Sequence, residues 1–320
     1  MRAIVYTEYG SPAVLQLEDV ARPTPRDDEV LIKVLAASVN RSDWENLIGK
    51  PLYARVGGLL RPRRQILGSD VAGRVEMAGR NTGRFRPGDE VFGLLEDYKG
   101  GFAEYVCARE SDLAPKPASM TFEQAAAIPQ AAMIAVQGIR DKGQVQPGQK
   151  VLIIGAGGGA GTFAVQLAKL YGAEVTGVDN TSKLGFMRSL GADHVVDYTR
   201  EDFTRNGKQY DLILDVVAHR SVFAYRRALG PSGRYFLAGG SVATMLQILL
   251  LGAWIRATTG KNLRILAVKP DVRDLIDTTE LYEAGKVVPV IDRRFTLGEV
   301  PEALRYLGEG RTRGKIVITV

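Results

Sequence analysis

Apolar and polar positions follow two different patterns along this chain, and the change comes near residue 124. Before it, the apolar residues form short or alternating runs between turn residues, which is typical of β-strands. The predicted strands are residues 3–6, 15–20, 30–38, 70–77, 90–93 and 103–108. The part of the chain up to residue 124 is therefore predicted to form a β-rich, barrel-like domain.

From Thr121 onward the pattern becomes an alternation of strands and helices. Thr121, followed three residues later by Gln124, forms a capping-box pattern that predicts a helix start. Strand-like runs follow, most of them separated by helical spacing, at residues 151–154, 174–178, 194–196, 211–216, 234–238 and 263–268. Because parallel strands need helical crossovers, the predicted fold class is α/β with a doubly wound parallel sheet.

The end of the chain returns to mixed structure. Residues 272–284 and 299–307 are predicted to be helices, residues 288–295 extended, and residues 316–320 a last strand. We expect this tail to fold back on the β-rich first domain.

Residues 242–257 are the most apolar stretch of the chain. Their apolar core is shorter than the roughly 18–20 residues of a membrane span, and Arg256 closes it, so we expect no transmembrane span. The main interpretation is a helix buried against the partner domain or a second subunit. The alternatives are a wall of a substrate pocket and a contact with a membrane surface.

Composition places the chain among soluble globular proteins, with 320 residues, 45% hydrophobic and 24% charged. The net charge of +6 is spread out, and its short basic clusters lack interleaved aromatic residues, so we expect no nucleic-acid partner. The single cysteine, Cys107, excludes a disulfide framework and a cysteine metal site. The N-terminus runs straight into a strand-like pattern without a signal peptide, which favours a cytoplasmic location.

A glycine-rich turn connects the strand at residues 151–154 to the helical pattern at residues 162–171. Small residues allow a tight turn and the close approach of a pyrophosphate to the free N–H groups of the helix N-terminus. The literal G-x-G-x-x-G pattern is absent, because Ala156 stands at its first glycine. The candidate coenzyme-binding residues of this turn are Gly157, Gly158, Gly159, Ala160 and Gly161.

The next predicted strand ends at Asp179, about 20 residues after the turn, where a group that binds the adenosine ribose is expected. This context favours a dinucleotide-binding unit. The alternative is a doubly wound domain that binds no nucleotide.

Several motifs, in this order and spacing, resemble the zinc-independent quinone oxidoreductase (zeta-crystallin-like) branch of the medium-chain dehydrogenase/reductases. They lie at residues 66–73, 84–93, 100–105, 126–129, 151–161, 190–193 and 314–317. The resemblance implies a GroES-like β-barrel catalytic domain at residues 1–124 and 268–320, and a Rossmann dinucleotide-binding domain at residues 125–267. It also implies an oligomer, for which we expect a homodimer.

The positions that bind catalytic zinc in related enzymes are occupied here by other residues. In register with the family they are Asn40, Ser69 with Asp70 beside it, and Gln130. Catalytic zinc needs three protein ligands of N, S or O type and an open position, so we predict no metal. A metal-free site suits hydride addition to a quinone or an α,β-unsaturated carbonyl, because one or two hydrogen-bond donors stabilise the developing oxyanion.

The resemblance gives Asn40 as the active-site asparagine, and Asp43 and Tyr53 follow it as further catalytic candidates. For Asn40 and Tyr53, a purely structural role is an equally good interpretation. Gly239 and Gly240, just beyond the fifth strand of the second sheet, lie where the family's backbone meets the nicotinamide.

The identity of the coenzyme rests on conflicting residues. Asp179 at a strand end favours NAD(H), because a carboxylate binds both ribose hydroxyls and repels a 2′-phosphate. Asn180, Thr181, Lys183 and Tyr198 match the register in which NADPH-using relatives hold that phosphate. We predict NADP(H), with NAD(H) as the alternative.

The predicted function is an NAD(P)H-dependent, zinc-free oxidoreductase that transfers hydride to a small-molecule quinone or enone. One alternative is a reductase of enoyl thioesters, with Arg61, Arg63 and Arg64 as the only candidate contacts for a carrier's phosphates. The other is a structural or interaction protein that binds NADPH without turnover.

Overall fold

The chain forms two units in a computed structural model that describes residues 1–56, 58–95 and 100–320. The first unit holds residues 1–130, 270–283 and 289–320, and the second holds residues 131–269 and 284–288. The predicted return of the tail is confirmed, since its last two strands and its last helix belong to the first unit.

Strands and helices are numbered in chain order. The strands are β1 (Arg2–Val5), β2 (Gln16–Asp19), β3 (Glu29–Val39), β4 (Asp70–Ala78), β5 (Glu90–Leu94), β6 (Tyr105–Arg109), β7 (Leu113–Pro115), β8 (Lys150–Ile154), β9 (Glu174–Asp179), β10 (His194–Asp197), β11 (Tyr210–Asp215), β12 (Leu229–Leu237), β13 (Asn262–Ile265), β14 (Ile291–Thr296) and β15 (Lys315–Thr319). The α-helices are α1 (Arg41–Ile48), α2 (Phe122–Ala126), α3 (Pro129–Val136), α4 (Gly159–Leu170), α5 (Leu184–Ser189), α6 (Val222–Ala228), α7 (Val242–Thr259), α8 (Val272–Glu283) and α9 (Val300–Gly308).

The first unit is built on a sheet in the order β14-β15-β3-β4-β5-β7, with β6 also paired to β3. The long strand β3 pairs antiparallel with β4, β6 and β15, so the tail strand β15 sits beside the centre of the sheet. Alternating apolar side chains of β3, including Val30, Ile32 and Val34, are buried in the core of this unit. This is the predicted β-rich domain.

The second unit is a parallel sheet of six strands in the order β10-β9-β8-β11-β12-β13. This is the strand order of the doubly wound dinucleotide-binding fold, so the predicted fold class is confirmed. Two boundaries differ from the prediction by more than one residue: β12 begins at Leu229 rather than residue 234, and β13 ends at Ile265 rather than residue 268. Gly230 and Gly233 in the early part of β12 hid the strand pattern there.

The most apolar stretch forms α7, an 18-residue helix capped by the Ser241 hydroxyl, which accepts from the Thr244 N–H. It ends at Gly260 in the left-handed conformation (φ 71°). By length and composition it is the one helix among the described residues that could cross a membrane. The expected absence of a transmembrane span therefore stays a prediction.

Candidate active site

The glycine turn joins the end of β8 to the start of α4. Gly155 has a φ of +80°, which favours glycine, and Gly158 caps the helix without a side-chain hydrogen bond. A Cβ on Gly161 would lie 2.2 Å from the Gly155 carbonyl oxygen and 2.6 Å from the Ala156 Cα. Glycine at position 161 therefore allows the helix to start close against the strand end. The N–H groups of the first helical turn have no partner within the helix, so they can bind an anion.

Asp179 lies at the carboxyl end of β9 and contacts the turn. Its carboxylate accepts from the Gly157 N–H (3.0 Å) and the Asn180 N–H (2.9 Å). The Lys183 ammonium lies 3.3 Å from the same carboxylate, and both side chains are less than one-tenth exposed. A Cβ on Gly157 would lie 2.7 Å from the Lys183 Cδ, so the absence of a side chain there admits the lysine. The structure thus brings three predicted coenzyme residues into contact.

The other residues predicted for the adenosine site lie close in sequence to Asp179 and Lys183 or directly after β10. The Asn180 side-chain oxygen accepts from the Ser182 N–H (3.1 Å), and the Thr181 hydroxyl donates to the Asp197 carboxylate. Tyr198, just after β10, is 52% exposed. A ligand at this edge can therefore reach the tyrosine without displacing core residues.

Gly239 and Gly240 follow β12 at the same carboxyl edge of the parallel sheet. Gly240 has a φ of +131°, and a Cβ there would lie 2.5 Å from the Ala218 backbone nitrogen. Only glycine fits that backbone. Ligands of doubly wound sheets bind at this edge of the sheet.

In the first unit, the residues in register with the zinc positions of related enzymes are next to one another. Asn40 follows the end of β3 and caps α1, and its amide nitrogen donates to the Ser69 hydroxyl (2.9 Å) and to the Asp70 carboxylate (2.8 Å). The Ser69 hydroxyl in turn donates to the Gln130 side-chain oxygen (3.3 Å). The register taken from the family resemblance therefore corresponds to one polar cluster in space.

Lys315, in β15, is a member of this cluster that sequence reasoning missed. Its ammonium lies 2.5 Å from the Asn40 side-chain oxygen and 3.2 Å from the Asp70 carboxylate. The Lys315 side chain is 2% exposed and that of Asp70 is 0% exposed. The Ser38 hydroxyl also donates to Asp70, so the buried charge pair is hydrogen-bonded as well as paired. The one sequence feature that pointed to this residue is that Lys315 begins a strand that is otherwise mostly apolar.

Asp43 is buried, and its carboxylate accepts hydrogen bonds from two backbone N–H groups of the described residues. It accepts from the Asn40 N–H (2.7 Å) and the Gly68 N–H (3.1 Å), which fixes the start of α1. Burial raises the pKa of its carboxyl to about 7, against the opposing effect of the Asn40 N–H bond. The described geometry gives Asp43 a role in holding Asn40.

The Tyr53 hydroxyl has a different hydrogen-bond partner from those of Asn40 and Asp43. It is 45% exposed, and its hydroxyl donates to the Glu45 carboxylate (3.3 Å). Burial, followed by the negative charge of Glu45, raises the pKa of the Tyr53 hydroxyl to about 12, so it is a donor at neutral pH.

The part of the chain that the structure describes contains no group of three or more His, Cys, Asp or Glu side chains that could hold a metal ion. That the protein works without zinc stays a prediction.

A GroES-like unit combined with a doubly wound unit that carries a glycine turn defines the dehydrogenase/reductase class. Two family profiles agree: the alcohol dehydrogenase GroES-like domain matches residues 26–118, and the zinc-binding dehydrogenase family matches residues 190–318.

Individual relatives narrow the class. The 2-methylene-furan-3-one reductase of Solanum lycopersicum is 35% identical over 99% of this chain and 79% of that protein. The chloroplastic NADPH-dependent alkenal/one oxidoreductase of Arabidopsis thaliana is 33% identical over 99% of this chain and 79% of that protein. The quinone oxidoreductase structure from Coxiella burnetii superposes with a TM-score of 0.91 at 29% identity, over 100% of this chain and 99% of that one. This chain belongs to the quinone oxidoreductase branch of the medium-chain dehydrogenase/reductases, and the predicted family is confirmed.

Proposed function

We propose that this protein is an NAD(P)H-dependent reductase of quinones or α,β-unsaturated carbonyls. The proposal is supported by the glycine turn, with Asp179 and Lys183 beside it, and by a cluster of amides and hydroxyls in register with the zinc positions of related enzymes. The name of the tomato relative describes an enone reductase, and that of the Arabidopsis relative an alkenal/one oxidoreductase, which supports the same reaction class.

A bound nicotinamide coenzyme would supply the hydride. In the second unit, the N–H groups at the start of α4 would bind its pyrophosphate, and the backbone at Gly239 and Gly240 would contact its nicotinamide end. In the first unit, neutral donors would stabilise the negative charge that develops on the substrate oxygen. We propose the polar cluster around Asn40, held by Asp43, together with Tyr53 for this work, and water as the final proton source.

Among the two coenzymes we favour NADP(H). Asp179 is already neutralised by Lys183 in the free protein, so its charge opposes a 2′-phosphate less than an unpaired carboxylate would. A phosphate would offer Lys183 a second, stronger anionic partner, and Asn180, Thr181 and the exposed Tyr198 supply polar groups nearby. The Arabidopsis relative's name also states NADPH dependence.

The first experiment is a titration of the pure protein with NADPH and with NADH, followed by nicotinamide fluorescence. 1,4-Benzoquinone and cyclohex-2-enone are then added in separate reactions, and coenzyme oxidation is followed by the loss of the absorbance of the reduced nicotinamide. Saturable binding with oxidation by either acceptor supports the reductase. Saturable binding without oxidation by any quinone or enone would contradict it.

We also propose a homodimer formed by the second unit. In the described part of the chain, β13 pairs only with β12, so its outer edge is free. Beside it, α7 exposes Leu249 (64%), Leu250 (78%) and Trp254 (52%). An exposed strand edge next to an apolar helix face favours pairing with a second copy.

A cytoplasmic location remains our inference. Its support is that Cys107 is the single cysteine of the sequence, so the chain forms no internal disulfide, as is usual in a reducing compartment. The Arabidopsis relative is named as chloroplastic, so fractionation of the native cells with organelle markers is the direct measurement.

A further inference from the structure

The hydrogen bonds of the polar cluster run in one direction, and Lys315 sets that direction. An ammonium group can only donate, so the Asn40 side-chain oxygen, 2.5 Å away, must face it. The Asn40 nitrogen then faces the opposite way, and both of its protons are used by the Asp70 carboxylate and the Ser69 hydroxyl. Asn40 therefore has no proton left for a substrate.

The same logic orients Gln130. The Ser69 oxygen accepts from Asn40, so its own proton is directed to the Gln130 side-chain oxygen, 3.3 Å away. The Ser42 hydroxyl donates to the same oxygen at 3.0 Å. Two hydroxyls therefore hold the oxygen of the Gln130 amide. The Gln130 Nε2 has no hydrogen-bond partner among the described residues, and the side chain is partly exposed.

We propose that the Gln130 Nε2 group donates the hydrogen bond that stabilises the substrate's carbonyl oxygen during hydride transfer. Lys315, Asn40, Ser69 and Ser42 are then positioning residues, which fix the amide with its N–H groups outward. This inference rests on the proposed reductase function and names the donor that the reaction needs.

The reaction balances with this donor. A hydride, with its electron pair, forms a new C–H bond at the β-carbon of the enone, and the π electrons of the C=C bond move toward the carbonyl oxygen. The enolate oxygen accepts from the Gln130 N–H, and a proton from water then bonds to the α-carbon. The coenzyme is oxidised by two electrons and the enone is reduced to the saturated ketone. A chain of aligned donors that starts at a buried ammonium polarises its last member, so the terminal amide is a stronger donor than an isolated one.

The main test is Gln130→Met, which keeps the side-chain length and removes the amide. We expect kcat with cyclohex-2-enone to fall about 100-fold, as for loss of one oxyanion donor, with an unchanged Kd for the coenzyme. The matched control is Gln124→Met in the same unit, where the glutamine caps α2 and accepts from the Thr121 N–H. The control should lose stability and keep its kcat. A kcat of Gln130→Met within 3-fold of the parent's would overturn the proposal.

A spectroscopic test does not depend on turnover. Cyclohex-2-enone labelled with ¹³C at the carbonyl is bound in the presence of oxidised coenzyme, and its C=O stretch is measured by difference infrared spectroscopy. A donor lowers the stretching frequency, so we expect a lower frequency in the parent protein than in Gln130→Met. Equal frequencies in the two proteins would show that the amide does not touch the carbonyl.

The positioning residues are tested by Ser69→Ala and Ser42→Ala, since Lys315→Met would leave the Asp70 charge buried without its cation and endanger folding. Each serine variant removes one of the two hydroxyls that hold the Gln130 oxygen, so we expect kcat to fall about 5- to 10-fold at unchanged coenzyme Kd, and the double variant to approach Gln130→Met. A double variant with the parent's kcat would contradict the positioning role. If the parent itself oxidised no coenzyme with any acceptor, the reductase function would fail, and the infrared comparison would still show whether the Gln130 amide contacts a bound carbonyl group.

Discussion

Asp179 and Lys183 form a buried ion pair, and we propose that it sets the preference between NADPH and NADH. We expect Lys183→Ala to weaken NADPH binding about 10- to 100-fold, the usual worth of a charge-assisted hydrogen bond, and NADH binding less than 3-fold. Asp179→Asn should instead tighten NADPH binding, because it removes the carboxylate that repels a 2′-phosphate. Fluorescence titration of both variants with both coenzymes is the measurement.

Lys169→Ala is the matched control, since Lys169 is also paired with a carboxylate of its own unit, that of Asp193 (2.8 Å). It should leave both affinities unchanged. Equal losses of NADPH and NADH affinity in Lys183→Ala would remove Lys183 from the phosphate site.

Asp43 is expected to make the protein less stable as the pH rises, which is the opposite of the usual effect of a carboxylate. Its pKa of about 7 in the folded protein exceeds the usual 3.8, so between these values the folded state holds more protons than the unfolded state. Stability relative to Asp43→Asn should therefore be greatest near pH 4 and fall as the pH rises to 7, by up to about 4 kcal/mol.

The measurement is the difference in the free energy of unfolding between the parent and Asp43→Asn from pH 4 to 8. Other groups titrate in both proteins and cancel in the difference. A difference that stays constant, or that moves in the parent's favour as the pH rises, would rule out the raised pKa.

At the level of single residues, the sequence was most informative where the family register was clear. Asn40, Ser69, Asp70 and Gln130 were aligned with zinc positions, and they do form one cluster. Lys315 was not foreseen, because nothing local shows that a lysine opening a terminal strand packs on residues 245 and 275 positions away.

Among the elements, the turn between β8 and α4 allows a role in folding and the proposed role in coenzyme binding to be tested at two different glycines. Gly161→Ala places a methyl group against backbone atoms at 2.2 Å and should destabilise the protein by about 3 kcal/mol. Gly158→Ala meets no atom closer than 3.4 Å. It should fold nearly as well as the parent and weaken coenzyme binding, because the methyl group stands at the cap of the anion-binding helix.

Denaturant unfolding and coenzyme titration of the two variants check this separation. Parent-like stability of Gly161→Ala, or parent-like coenzyme affinity of Gly158→Ala, would contradict the assignment of the respective glycine.

For helix α7, the sequence pattern predicts the helix but not which of its faces is buried. Its existence was predictable, since residues 242–257 are almost all apolar, and the helix extends only two residues further. The buried face was not predictable. Thr244, Ile248, Gly252 and Ile255 are buried, whereas equally apolar leucines are exposed. A helix that is apolar all round carries no periodic signal, so only its packing partners select a face.

For the whole molecule, the assignment of functions to chain segments remains a proposal. We place coenzyme binding in residues 125–267 and substrate contacts in residues 1–124 and 268–320. The alternation of strands and helices made residues 125–267 predictable as one parallel sheet. The return of the tail to the first unit depends on β15 pairing with β3, a contact across nearly the whole chain that local patterns do not encode.

The exposed apolar face of α7 makes the assembly state testable. We expect a particle of about twice the 34.8 kDa of one chain by light scattering after size exclusion. Leu250→Glu puts a charge on the most exposed leucine of the helix, and burying that charge at an interface costs far more than the leucine contributes, so the variant should be monomeric. Leu17→Glu on β2 in the first unit, where the leucine is 47% exposed, is the matched control and should stay dimeric. If the parent protein eluted as a monomer at micromolar concentration, a second copy of the chain would not be the partner of this face of α7. A different partner would then have to cover the apolar surface.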